Sequence, residues 1–200
     1  MAESEPLLDF LDDMRRLRRD CPWKRDQTHR SLARYLQEES AETLEAIDSG
    51  DAAHLREELG DLLLQVYFHA VIAEESGDFT LDDVARGISD KMHRRNPHVF
   101  GVEEPSALSA SEVNDQWQQI KAVEKPRASA YDGIAAGLPA LLLATKILER
   151  RPDAATALPD PGDPDAEVGD RLLALAAEAV AAGVDPEQAL RDAVRRTVQP

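Results

Sequence analysis

Glu38-Glu39-Ser40-Ala41-Glu42 and Glu58-Leu59-Gly60-Asp61, parted by Ser49-Gly50-Asp51, decide how this chain folds. Residues three and four apart share a helix face. Glu39 and Glu42 therefore point together with Glu38 alongside, and Glu58 and Asp61 do the same after the break. The spacing predicts a helical hairpin whose two arms bring these carboxylates to one point. Crowded carboxylates repel, and burying them unpaired is costly. A hard divalent cation removes the repulsion, and ligands that are all oxygen favour Mg2+ or Mn2+ over zinc. A single ExxE motif is what many solvated helix faces carry. Two such motifs differ because each adjoins residues that must be buried: Leu55, Leu59, Leu62, Leu63 and Val66 mark the expected core stripe of the second arm. Asp61 falls at that stripe rather than opposite it.

The pattern around the hairpin is helical as well. Leu7, Leu8, Leu11, Met14 and Leu17 predict a first helix over about 7–19, stopped by Cys21-Pro22-Trp23. Thr28 is the expected N-cap of the first arm, which runs to Ser49 with Gly50 as its left-handed stop, and Asp51 caps the second arm, which ends near Gly77. Thr80 with Asp83 has the form of a capping box for a helix that ends before Pro97, with Val84, Ile88 and Met92 expected inward. Ser109 with Glu112 starts another, reaching about Glu124, and Pro126 closes this unit. Leu138 to Leu148 reads as an apolar helix, the Pro/Asp-rich 151–165 as a linker, and the Ala-rich remainder as one or two helices turning at Gly183-Val184-Asp185-Pro186.

Composition bounds the function. The chain has 200 residues, few aromatics and no run of alternating β-branched residues, so an all-α fold is expected. Its formal charge of −16 repels polyanions and argues against nucleic-acid binding. One cysteine, Cys21, precludes an internal disulfide and fits a reducing compartment. The first residues have neither a basic region nor an apolar run, and no stretch reads as a membrane span, so a cytoplasmic protein is expected.

Two further groups of residues matter. Lys91, Arg94 and Arg95 cluster at the end of the helix before Pro97, which taken alone is what the helix dipole favours. Trp117 and Lys121 lie four apart and share a helix side. Taken with Cys21-Pro22-Trp23, Gln27-Thr28-His29, Tyr35-Leu36, the EExxE and ExxD acids, Ile88-Ser-Asp-Lys91, the run Arg94-Arg95-Asn-Pro97-His98-Val-Phe100, Trp117-x-x-Ile120-Lys121, Leu138-Pro139-Ala140-Leu141 and Ala144-x-Lys146-Ile147, they make the chain from about 7 to 150 resemble the MazG-type nucleoside triphosphate pyrophosphohydrolases.

The resemblance implies a four-helix core that dimerises and Mg2+-dependent cleavage of a nucleoside triphosphate, Mn2+ being a substitute, to the monophosphate and pyrophosphate. It implies that Glu39, Glu42, Glu58 and Asp61 hold the metal and that Glu38 orients or deprotonates the attacking water. It places Lys91 and Arg95 on phosphates with Arg94 beside them, and Trp117 and Lys121 near the nucleotide. All-α dUTP/dCTP pyrophosphatases and phosphoribosyl-ATP pyrophosphohydrolase share the helical carboxylate architecture, but the CPW and RRxPHVF segments favour the MazG type. A catalytically inert helical interaction protein is the alternative of another class, and the intact acids and Lys91 argue against it.

Long members of that family carry two such domains in tandem. Glu167-Val-Gly169-Asp170 resembles a second ExxD, but the helix that should supply its EExxE partner is replaced by the Pro/Asp-rich stretch. The expected organisation is a catalytic domain over 1–126, a connecting helix over 127–150, a linker over 151–165 and a degenerate second domain over 166–200.

Overall fold

The structure, a computed structural model, describes residues 5–101, 108–124, 128–155 and 164–198, and every regular element among them is helical. The elements are α1 (Pro6–Asp20), α2 (Pro22–Arg25), α3 (His29–Ser49), α4 (Ala52–Ser76), α5 (Leu81–Arg95), α6 (Pro97–Phe100), α7 (Ala110–Glu124), α8 (Ala140–Leu148), a 3-10 turn at Pro152–Ala155, α9 (Pro164–Ala181) and α10 (Pro186–Val198). They form two compact units, Met1–Asn114 and Asp115–Pro200. Pro126 and residues 156–163 of the expected linker lie outside the described residues.

The α3–α4 hairpin is the frame of the first unit. Thr28 caps α3 by accepting from the Ser31 amide, while the Ser31 hydroxyl accepts from the Thr28 amide. Gly50 ends α3 at φ 72°, a left-handed conformation that glycine adopts without Cβ strain. The Asp51 carboxylate then accepts from the Ala53 and His54 amides and starts α4 at once, so the two arms return antiparallel. Thr43, buried on α3, donates to the Glu39 carbonyl at 2.7 Å and reaches the Glu58 carbonyl of α4 at 3.4 Å.

α1 completes the core. Leu11 and Met14 pack with Leu32 of α3 and with Tyr67, Phe68, Val71 and Ile72 of α4, and Phe10 lays its ring 4.9 Å from that of Tyr67. Burying one such large side chain contributes about 1.5–3 kcal/mol. Arg18, though charged, is buried as well. Its guanidinium donates to Glu75 and to the carbonyls of Lys24, Arg25 and Gln27, which ties the α1–α3 corner to the end of α4. Arg15 makes a paired contact with Glu74 at 2.8 and 3.0 Å beside it. One to two turns earlier on α4, His69 meets His29 of α3 with parallel rings, Nδ1 to Nδ1 at 2.7 Å.

The expected core stripe of α4 is corrected here. Leu59, Leu63 and Val66 are 50 %, 37 % and 40 % exposed, and the buried face runs through Gln65, Phe68, Val71 and Ile72 instead. Leucines occur on more than one side of this helix, so periodicity alone does not tell the inner face from the outer one. On α5 the residues expected inward are also turned out, with Val84 and Ile88 exposed and Met92 half-buried.

In the second unit α8, α9 and α10 pack on one another. Thr145, Leu148, Ala176 and Pro186 are buried, and Arg150 donates to the carbonyls of Ala130 and Asp132. Leu172, Leu175 and Leu190 are exposed.

Candidate functional site

One carboxylate oxygen from each of Glu39, Glu58 and Asp61 lies within 4.8 Å of the other two. All three side chains are half-buried, and this is the one cluster of potential metal ligands among the described residues. Glu39 comes from the middle of α3, and Glu58 and Asp61 come from adjacent turns of α4. The Thr43 contact at their backbones holds the two arms in this register.

The electrostatics follow from the geometry. Glu39's pKa is raised above the ordinary glutamate value, first because burial penalises its charged form and then because Asp61, Glu42, Glu58 and Glu38 surround it with like charge. The other four acids of the two motifs therefore all act on this one carboxyl group. Glu42 and Glu38 themselves are exposed and stand outside the trio, so the structure brings together three of the four expected metal ligands. His54 was not anticipated. Its Nε2 is 3.2 Å from Glu58 Oε1, and the i, i+4 spacing of His54 and Glu58 was the available signal.

The trio fits a hard divalent cation. It offers only oxygens, it is partly withdrawn from water, and it carries a repulsion that a cation would relieve. No lysine or arginine ion pair that would neutralise these three acids occurs among the contacts of the described residues.

The expected phosphate cations all lie on α5, which packs against α4. Lys91 is half-buried, Arg94 exposed and Arg95 only 7 % exposed. Trp117 and Lys121, both half-buried, lie on the part of α7 that belongs to the second unit. Glu167, exposed, and Asp170, half-buried, occur on α9 with no acidic cluster around them among the described residues.

A groove of about 560 Å3 opens next to the trio, with Phe10 and Leu17 of α1 on one side and Gly60, Asp61 and Leu64 of α4 on the other. Lys24 lines it as well. Its Nζ is 5.2 Å from the Phe68 ring centre and 5.5 Å from that of Trp23. No described helix is long and apolar enough to cross a membrane.

Comparison with known proteins gives the chain a family. Residues 27–100, which contain the trio and α5, match the MazG nucleotide pyrophosphohydrolase domain. The chain is 40% identical over 201 residues to a protein of Thermotoga maritima named nucleoside triphosphate pyrophosphohydrolase/pyrophosphatase MazG, covering 90% of this chain and 76% of that one. It is 46% identical over 190 residues to an uncharacterised 26.1 kDa protein of Streptomyces cacaoi, covering 94% of this chain and 77% of the relative. A nucleoside triphosphate pyrophosphohydrolase of Mycobacterium tuberculosis is 44% identical over 192 residues. That match covers 95% of this chain, which spans only 55% of the relative's length.

Proposed function

Because the chain belongs to the MazG nucleotide pyrophosphohydrolase family, we propose that it hydrolyses nucleoside triphosphates to the monophosphate and pyrophosphate, removing aberrant or surplus nucleotides from the pool. The observation that carries this reading is the convergence of Glu39, Glu58 and Asp61 from two helices onto one half-buried point. These three, with Glu42 joining from the exposed side, are the residues that would hold Mg2+, or Mn2+ in its place. When bound, such a cation supplies positive charge to the triphosphate oxygens and acidifies an attached water.

The chain's own residues have separate parts in this reaction. Glu38, exposed beside the trio, orients the attacking water and accepts its proton. The water oxygen forms a bond to the α phosphorus, and the bond from that phosphorus to the α,β-bridging oxygen breaks. Lys91 and Arg95 stabilise the charge that gathers on the departing pyrophosphate, with Arg94 at the rim. Burial of Arg95 fixes a guanidinium that would otherwise sample many rotamers, so less order is lost when it meets a phosphate. Trp117 and Lys121 contact the nucleotide in this scheme.

The proposal includes a homodimer. Leu59, Leu63 and Val66 follow i, i+4, i+7 spacing and form an exposed apolar face on α4, the kind of stripe that a second copy covers. Residues 166–200 are read as the remainder of a second domain of the same type, because their ExxD has no EExxE partner.

The products test the reaction. Attack at the α phosphorus yields pyrophosphate and nucleoside monophosphate, whereas attack at the γ phosphorus yields orthophosphate and nucleoside diphosphate. A panel of canonical and modified nucleoside triphosphates with Mg2+, assayed without added pyrophosphatase, is expected to give only the first pair. Orthophosphate with the diphosphate as sole products would refute the reading.

A further inference from the structure

The groove beside the acid trio has the features of a site for one half of a nucleotide. Asp61 belongs both to the trio and to the groove wall, so whatever lies in the groove adjoins the place where the triphosphate is held. Its other walls are largely apolar side chains, Phe10 and Leu17 on one side and Leu63 and Leu64 on the other, Leu63 being where the groove borders the apolar face proposed for a second copy. A volume of about 560 Å3 falls in the range of small-molecule sites. Gly60 lines the groove from within α4, and a Cβ built on it meets no atom within 4 Å. Glycine at this helical position costs stability relative to alanine, and no packing contact among the described residues requires it. What its missing side chain leaves is room in the groove.

Lys24 is the cation of the groove and is held from two sides. Its ammonium rests near the Phe68 and Trp23 rings, and its carbonyl accepts from buried Arg18. An ammonium donates hydrogen bonds and accepts none. It therefore favours a base whose facing edge carries a carbonyl oxygen and disfavours one that carries an amino group there.

We propose that the nucleoside half of the substrate occupies the groove between α1 and α4, where Gly60 leaves it room and Lys24 selects bases that present a carbonyl oxygen. This assignment rests on the pyrophosphohydrolase reading for the identity of the ligand, and its test reads binding rather than turnover. Inosine and adenosine nucleotides form the matched probe pair, since they differ by a carbonyl against an amino group at one ring position.

The experiment is calorimetric titration of the full chain with Mg2+ and, separately, IMP, AMP and pyrophosphate. Wild-type protein is expected to bind IMP about tenfold more tightly than AMP, the scale of one hydrogen bond to a charged group. Lys24→Met, which keeps the length and the aromatic packing, should erase that preference. Gly60→Leu should weaken IMP and AMP alike by tenfold or more while pyrophosphate binding stays within twofold. Gly60→Ala serves as the folding control and should raise the thermal midpoint while weakening the nucleotides by less. Equal loss of pyrophosphate binding in Gly60→Leu, or unchanged IMP and AMP binding, would overturn the assignment. A change in sedimentation of Gly60→Leu with nucleotide affinity intact would also overturn it, by showing that a second copy fills the groove. If the binding pattern holds but no triphosphate is hydrolysed, the reaction is misread and the groove stands. If hydrolysis proceeds to monophosphate and pyrophosphate but the variants leave IMP and AMP untouched, the groove alone is misread.

Discussion

Asp61 faces two ways, toward Glu39 and Glu58 and into the adjoining groove, so it is the residue at which the site is most exposed to a single change. Asp61→Asn keeps the shape and removes the charge. Losing even an outer partner of a metal ligand costs 10–100-fold, so turnover should fall by more than roughly 100-fold in this variant. Helicity should be unchanged, and the metal-free thermal midpoint should hold or rise because a source of repulsion at Glu39 has gone. Wild-type turnover in Asp61→Asn would remove it from the metal site. His69 makes a second prediction at this scale. Burial first, and the nearness of His29 second, lower its pKa below 6.5. The native state thus resists a proton that the unfolded chain accepts. The stability this gives is fully present above pH 6.5 and is lost as the pH falls through the depressed native value. Thermal midpoints measured from pH 8 down to pH 5 should decline over that window in the wild type and decline less in His69→Gln. Parallel curves would exclude the pair as the cause.

The α3–α4 hairpin is the element that makes the site, and its corner depends on backbone conformation rather than on packing. A Cβ at Gly50 would meet nothing, yet its φ of 72° lies in the left-handed region. Gly50→Ala should therefore cost roughly 1 kcal/mol in urea unfolding, through the backbone alone. Metal stoichiometry should not change, because Thr43 still fixes the register between Glu39 and Glu58. The punctuation of this element was legible in the sequence: Thr28, Gly50, Asp51 and Thr80 each cap where their side-chain chemistry places them. Two things were not. The four-residue helices α2 and α6 each open on a proline that follows a longer helix, and a proline there signals a stop more clearly than a restart. The inward face of α4 was misread because apolar residues surround that helix. Only the packing of Met14 and Leu32 on Phe68 and Val71 selects the face, and such a pairing across distant residues leaves no periodic trace. The acids that converge were legible as motifs. The inward turn of Glu39 and the outward turn of Glu42 were not, since both satisfy the same spacing.

At the scale of the whole molecule, the second unit bears on where the chemistry resides. α8, α9 and α10 pack on one another, with Thr145, Leu148 and Ala176 buried among them. This unit therefore has a core of its own, and cutting the chain inside it would confound folding with function. Point substitutions are the cleaner probe. Glu167 and Asp170 repeat the ExxD spacing on α9, but no third carboxylate or histidine joins them among the described residues, and half a ligand set does not hold a catalytic cation. Surface substitutions away from special features stay within about 0.5 kcal/mol, roughly a factor of two. The double variant Glu167→Gln, Asp170→Asn should accordingly keep kcat within about that factor and leave Mg2+ stoichiometry unchanged by calorimetry. Its thermal midpoint should hold as well, because neither acid makes a buried ion pair among the described contacts. A large fall in kcat, with the fold and the oligomeric state intact, would show that the second unit contributes to a working site and that the acids of the first unit are not sufficient.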